Sequence, residues 1–375
     1  MPKAFHAAGA RDREPASGYA GRVVRADPGF PVVVLALLGL GLGTLRSAAP
    51  GDEFVRQLVF LGVAAVAVAV VVALGKRRIV RAAPYLYGTS IALLLLVKVA
   101  GTTVNGAQSW LYLGPLPGFQ PSEFAKLALI LALAAALHDR PVQGPRGYLR
   151  PLALMVPPTL LVLTEPDLGG ALVIAAVGGT MLLLRGLPWR HVAAAALLFT
   201  VAFPSVVWPN LEPHQRTRLV SFLDPAADPQ GSGYQVIQST IAIGSGGLTG
   251  KGWGEGTQSQ LGFIPYRHTD FIFPVLAEEG GFLAAVTLLV LYGLLFWRLV
   301  AMASECIYER DQFVIMGVLT LIGFQVAVNV GVTLGLAPVT GITLPLVSYG
   351  GTSLLTTLVA LGLAFVVHRD RYADW

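Results

Sequence analysis

Charged side chains are scarce in this sequence. Asp, Glu, Lys and Arg make up 13% of its 375 residues, where a soluble domain usually carries about 25%. Hydrophobic residues reach 54% and mean hydropathy is +0.67, which excludes an ordinary soluble domain. There is a single cysteine, Cys306, and so no intrachain disulfide. Strand-type alternation of apolar and polar residues is missing, which argues against a transmembrane barrel. Internal repeats are missing too, which weakens an inverted-repeat transporter. Met1 to Asp27 mixes Gly, Ala, Arg, Asp and Glu without an apolar core and small-residue cleavage site. Residues 1–29 therefore read as a flexible cytoplasmic tail rather than a signal peptide.

What the sequence does have is a series of apolar runs from Phe30 to His368. A membrane-spanning helix needs about 20 mostly apolar residues. The runs predict an all-α polytopic membrane protein of about ten transmembrane helices. These fall near Phe30–Leu45, Phe54–Leu74, Ile79–Ala100, Pro121–Leu137, Pro151–Thr164, Leu168–Leu184, Trp189–Trp208, Phe271–Val300, Gln312–Leu334 and Leu346–Val367. The two short runs around Glu165-Pro166-Asp167 also fit a single re-entrant hairpin. The run after Asp270 is longer than a bilayer requires.

Basic residues alternate between loops. Lys76, Arg77, Arg78 and Arg81 form one set; Arg140, Arg146 and Arg150 the next. Arg185 and Arg190, then Arg298 and Arg310, then Arg369 and Arg371 complete the series. The positive-inside rule puts these loops and both termini in the cytoplasm. It also accounts for the net charge of +5 without a nucleic-acid partner. Residues 209–270 then form one long extracytoplasmic loop between the seventh and eighth spans. Its apolar punctuation, Val236, Ile237, Ile241 and Ile243, suits a partly ordered lid.

Several ionisable residues sit where lipid would make them costly. Asp270 lies in Arg267-His268-Thr269-Asp270-Phe271, where the long loop returns to apolar sequence; such a group is a functional candidate by default. Glu123 and Lys126 are three apart and share a helix face. They either neutralise each other or form a polar wall for an anionic head group. Asp167 is placed to cap the helix after it, or to join a cavity rim. The glycine-rich stretch Gly244 to Gly256 reads as a hinge, with a backbone cradle for a diphosphate as the alternative. Glu278 and Glu279 either pair with basic side chains or sit near the interface. His268 and Asp270 lack a wider cluster of metal ligands, so no protein-built metal cage is expected. A Mg2+ bridged to a substrate diphosphate needs few protein ligands and stays open.

The strongest pattern is Asn329 to Ser353, where Gly and Pro recur at membrane depth. Irregular backbone is tolerated there only when buried in protein or lining a cavity. This segment resembles the signature of the SEDS family, the group of RodA, FtsW and SpoVE. The match runs from Asn329 through Pro338-Val339-Thr340-Gly341 to Ser348-Tyr349-Gly350-Gly351-Thr352-Ser353. Gln108-Ser109-Trp110, Gln120-Pro121-Ser122-Glu123 with Lys126, Pro166-Asp167-Leu168-Gly169 and His214-Gln215-Arg216 agree in order. So do Phe222-Leu223-Asp224-Pro225, Gly233-Tyr234-Gln235, Gly250-Lys251-Gly252, Thr257-Gln258-Ser259-Gln260 and His268-Thr269-Asp270-Phe271. The resemblance covers nearly everything after the tail, defines 30–375 as one transmembrane domain, and is closer to RodA than to FtsW. Two positions depart from it: Tyr266 and Gly262 stand where RodA-like sequences often have Glu.

The resemblance implies a peptidoglycan glycosyltransferase that polymerises lipid II at the outer face of the cytoplasmic membrane during cell elongation. It implies Asp270 as general base, and Glu123 and Lys126 as the polar pair of a central cavity. Arg216 and Arg267 are further candidates for holding substrate charge. The implied partners are a class B penicillin-binding protein, which supplies transpeptidation, and other membrane proteins of the elongation machinery. Two other uses of such a cavity stay open: a lipid II flippase, and a non-catalytic scaffold.

Overall fold

The computed structural model describes residues 27–104, 107–112, 118–139, 145–211, 213–229 and 231–373. The tail expected over 1–29 lies almost wholly outside them, as does Arg140. The helices are α1 (Gly29–Ala48), α2 (Asp52–Arg81), α3 (Ala83–Ala100), α4 (Pro121–Asp139), α5 (Leu149–Leu163), α6 (Leu168–Leu184), α7 (Trp189–Ala202) and α8 (Trp208–Asn210). They continue with α9 (Pro213–Leu223), α10 (Ser232–Ser245), α11 (Thr257–Gln260), α12 (Ile272–Glu305), α13 (Glu309–Thr333) and α14 (Gly351–Arg369). A small antiparallel hairpin, β1 (Thr102–Val104) with β2 (Ala107–Trp110), follows α3.

Every apolar run read from the sequence is helical. Among the described residues, seven helices are long and apolar enough to cross a membrane, while α5 and α6 are apolar but shorter. Several boundaries differ from the expectation. Residues 79–81 belong to α2, which is broken at Gly75 (φ 70) and runs on to Arg81. The last helix starts at Gly351 rather than Leu346. The apolar residues 346 and 347 are buried, but in irregular backbone, because Gly341 and Pro345 interrupt helical bonding.

The centre of the bundle is α4. From Leu127 to Leu137 it is apolar on all sides, and a helix of that kind belongs in a protein interior. Ala125 to Leu133 are buried along it, and α3, α5, α6, α13 and α14 pack around it. By contrast, α2 lies at the outside against α14, with Phe60 over Gly351 and Val68 over Gly362. Small residues at these crossings let the helix backbones approach closely. The long loop is mostly helical, as α9, α10 and α11, with α10 packed on α12.

The glycine-rich stretch corrects the hinge expectation. Helix α12 breaks at Gly281 (φ 69), which frees peptide groups that need new partners. The stretch supplies them. Lys251 N–H donates to the Glu278 carbonyl (3.0 Å), and Gly252 N–H to the Glu279 carbonyl (3.0 Å). In return Phe282 N–H donates to Gly247 (2.9 Å) and Leu283 N–H to Leu248 (3.2 Å). A Cβ on Gly250 (φ +80) would lie 2.1 Å from the Glu279 carbonyl oxygen. The segment is a docked clamp.

At the opposite end of the bundle a second polar cluster ties four segments together. Lys76 Nζ lies 2.9 Å from Asp311 Oδ2, with both side chains fully buried. Lys76 N–H donates to Asp370 (3.1 Å), and Glu305 meets His368 (2.8 Å) and Arg371 (3.5 Å). Lys76, counted above as an orientation charge, is thus also a structural one. The glycine clamp gives the first test. Gly250→Ala combines a left-handed φ with a backbone collision. It should lower stability by about 2–4 kcal/mol, whereas Gly293→Ala, with nothing within 4 Å of its Cβ, should leave the detergent-solubilised melting temperature unchanged.

Candidate functional site

The site lies at the end of the bundle where α4 and α6 begin, α12 begins and α13 ends. Residues 334–350 pass between α13 and α14 without regular structure, and most of 342–349 is buried. Their peptide groups are paired one by one. Asn329 Nδ2 donates to the Ile342 carbonyl (2.8 Å) and to the Asp270 carbonyl (2.9 Å). Ser348 Oγ donates to the Thr269 carbonyl (2.6 Å) and accepts from Leu344 N–H (2.9 Å). Tyr349 N–H donates to the His268 carbonyl (2.7 Å). Gln57 from α2 donates to the Ser348 carbonyl (3.1 Å) and accepts from Gly350 N–H (3.2 Å). The Tyr292 hydroxyl closes on the Pro345 carbonyl. Residues 268–270 are therefore held as an added edge of the broken segment.

That edge orients Asp270. A Cβ built on Gly341 would lie 3.9 Å from Asp270 Oδ2, so the carboxylate looks across the glycine of the broken segment. Asp270 is half-buried. Burial pushes its carboxyl up to about 6, and the positive Arg218 on α9 pulls the other way.

Glu123 and Lys126 occupy the first turns of α4 and pair at 2.6 Å, both buried. The same turn faces the start of α6, where Asp167 caps the helix by accepting from Gly170 N–H (2.7 Å). Gln120 reaches the other Asp167 oxygen at 3.5 Å. Burial raises the Asp167 carboxyl above its ordinary range; Gly170, Lys126 and Arg218 lower it and Glu123 raises it. Asp167 is thus both the predicted cap and a member of the charged cluster. Gly169 packs against the Thr340 carbonyl of the broken segment, which brings α6 and its cap to the site. Behind it, Glu165 is buried with no hydrogen-bond partner for either oxygen. Burial, then the Asp167 charge, push its carboxyl up to about 8 against Lys98.

The two arginines named from the sequence each donate to a backbone carbonyl of the long loop. Arg216 donates to the Pro209 carbonyl (2.8 Å) and lies over the Trp208 ring. Arg267 donates to the Ser259 carbonyl. Lys126 acts on Asp167, but the cation that acts on both Asp167 and Asp270 is Arg218, which the sequence does not single out. Two residues along a helix turn a side chain by about 200°, so Arg216 and Arg218 face nearly opposite ways. Arg218, Ser221, Phe222 and Pro225 follow helical spacing and line one cavity of about 220 Å³ with Val236, Pro338 and Val339. That periodicity was the available signal. Asn329, inside the signature, was visible too, though its role as a clamp on Asp270 was not.

Glu278 and Glu279 are also buried, and they work as anchors. Glu278 accepts from Lys251 (2.7 Å), Gln258 N–H (2.8 Å) and Ser259 N–H (2.9 Å). Glu279 accepts from Ser47 (2.6 Å) and Gln260 (3.0 Å). They lock the glycine clamp and α11 to α12 and so fix where the chain approaches Asp270. Among the described residues no three His, Cys, Asp or Glu side chains cluster as a metal site.

The buried α4 pair makes a stability test. Lys126→Met strands Glu123 and should cost about 3–5 kcal/mol, while adding Glu123→Gln should recover most of it. A double-mutant cycle of unfolding free energies reads this coupling. If the double variant is as unstable as Lys126→Met, the pair is not what stabilises this turn.

Comparisons with known proteins agree over almost the whole chain. Peptidoglycan glycosyltransferase MrdB of Escherichia coli is 40% identical over 352 residues, covering 93% of this chain and 95% of its own. Stage V sporulation protein E of Bacillus subtilis is 35% identical, covering 91% and 96%. A solved chain described under structural coordination of polymerization and crosslinking by a peptidoglycan synthase complex matches with TM-score 0.83. It is 48% identical and covers 94% of this chain and 100% of that one. The crystal structure of the rod shape determining protein RodA of Thermus thermophilus matches at TM-score 0.73 and 41% identity, covering 94% and 100%. Residues 31–373 match the FtsW, RodA and SpoVE family, described as cell cycle proteins, and the chain belongs to that family.

Proposed function

We propose that this chain is a peptidoglycan glycosyltransferase of the cytoplasmic membrane, polymerising lipid II at the outer face, with Asp270 as general base. The observation that carries the reading is the clamped carboxylate. Asp270 is fixed through its own carbonyl by Asn329, faces the broken segment across Gly341, and lies in the field of Arg218. Relatives named peptidoglycan glycosyltransferase support the reaction class.

The chemistry needs two things of the protein. A base must take the proton of the acceptor sugar hydroxyl as its oxygen attacks the anomeric carbon of the donor. Positive charge must meet the lipid diphosphate as it leaves. Asp270 supplies the first. With its carboxyl near 6, it is ionised at neutral pH and still basic enough to share a proton in the transition state. Lys126 and Arg218 supply the second. One of the three Lys126 donors goes to Glu123, which leaves the others for phosphate oxygens. In this orientation the Lys76–Asp311 end faces the cytoplasm, and α9 to α11 lie on the outer surface. The synthase complex of the solved relative joins polymerization to crosslinking. A class B penicillin-binding protein is accordingly the partner expected here.

Two outcomes test the assignment. Asp270→Asn should reduce lipid II polymerisation by the purified protein about 10²–10⁴-fold. Because the fold holds this carboxyl above its ordinary value of 3.8, ionised Asp270 costs stability as pH rises through about 6. The variant should therefore melt at or above the wild-type temperature at pH 7. Activity of the wild type should fall as pH drops through about 6, where Asp270 takes up its proton. A variant that keeps polymerising, or a rate that is flat between pH 5 and about 7, would refute the base.

A further inference from the structure

The turn that carries Asp270 has a second side. Thr269 N–H and Phe271 N–H both donate to the Tyr266 carbonyl (3.0 and 3.3 Å), so residues 266–271 close on themselves. Asp270 points toward Gly341 on one side of this turn. Tyr266, Arg267 and His268 line a groove of about 350 Å³ on the other, facing the Pro50-Gly51 loop and Glu53 at the start of α2. That volume falls in the range of about 300–1,000 Å³ typical of small-molecule sites.

We infer that this groove is a subsite for a β-linked N-acetylhexosamine unit of the glycan strand, a reading that rests on the glycosyltransferase assignment. Its chemistry is that of a neutral polar ligand. Glu53 and Arg267 carry opposite charges, and the Arg267 guanidinium already donates to the Ser259 carbonyl. The His268 imidazole is held below its ordinary pKa by burial; Glu53 raises it and Arg267 lowers it further. It is neutral at pH 7, with ring nitrogens suited to hydroxyl or amide groups. A diphosphate gains little here, whereas the far side of the turn offers Lys126 and Arg218. Tyr266 completes the fit. It is 48% exposed and held at φ 54, a conformation a tyrosine adopts only at a cost. It presents a flat apolar ring with a polar edge at the rim, a surface that matches the C–H face of a pyranose. One turn thus separates a cationic side for the leaving group from a neutral side for sugar, with the base between them.

The test uses the purified full chain in detergent and, as probe, a soluble tetrasaccharide of alternating β-1,4-linked N-acetylhexosamines, with binding read by calorimetry. Glycine suits the left-handed φ of residue 266, so Tyr266→Gly removes the ring without straining the turn. Wild type and Gly293→Ala, whose added methyl meets nothing within 4 Å, should bind the probe equally. Tyr266→Gly should bind it about tenfold more weakly, or about 1.4 kcal/mol, and Tyr266→Phe should restore binding. Inorganic pyrophosphate should not displace it. Absence of binding to wild type, equal binding by Tyr266→Gly, or displacement by pyrophosphate would each overturn the subsite. Failure of the general-base reading appears instead in the polymerisation assay of Asp270→Asn, so the two are told apart.

Discussion

The peptide groups of residues 334–350 have no helix to pair them, and they lie buried beside a membrane-spanning bundle. An unpaired buried peptide group costs on the order of several kcal/mol in such surroundings. The fold therefore spends side chains on the backbone here: Asn329, Ser348, Gln57 and Tyr292 each bond a carbonyl or N–H in or beside this segment. Two of these side chains serve double duty. Asn329 and Ser348 also hold the carbonyls of Asp270 and Thr269. The catalytic candidate thus inherits its position from a structural obligation, the need to satisfy broken backbone. Helix α12 meets the same obligation at Gly281, where the glycine-rich segment takes up the freed groups.

Charge follows a similar logic. Ionisable groups inside the bundle are costly, and the two ends manage them differently. At one end Lys76, Asp311, Asp370, Glu305, His368 and Arg371 neutralise one another in a network that joins α2, α12, α13 and α14. At the other, the pairing is incomplete. Glu123 and Lys126 satisfy each other in part, while Asp167 and Asp270 feel Arg218 without forming a close ion pair with it. Incomplete neutralisation suits a site for a charged, transient ligand, and a network that joins four helices suits a rigid base.

The sequence made the bundle legible because long apolar runs admit few readings at this hydropathy, and each run is a helix. It was less legible at Leu346 and Val347, since burial alone does not distinguish a helix from irregular chain wrapped in protein. The site was legible where a residue is costly on its own, as with Asp270, Glu123 and Lys126. It was not legible where direction decides. Arg216 and Arg218 have the same charge and nearly the same place in the sequence, and only the helical phase of α9 separates them. Gly244 to Gly256 read as a hinge because glycine permits motion. Here glycine permits contact instead, since a Cβ at Gly246 or Gly250 would strike the backbone of α12.

Tyr266 and Gly262 give the turn before Asp270 its particular character. A carboxylate at 266 would face Glu53 across the groove. With tyrosine and glycine there, no acidic side chain shares the turn with Asp270, and its proton affinity is set by burial against Arg218 alone. That balance leaves it ionised at neutral pH and near the range that would suit the proposed general base. Tyr266 also leaves the groove side aromatic rather than acidic, so this one position bears on both the proposed base and the proposed sugar surface.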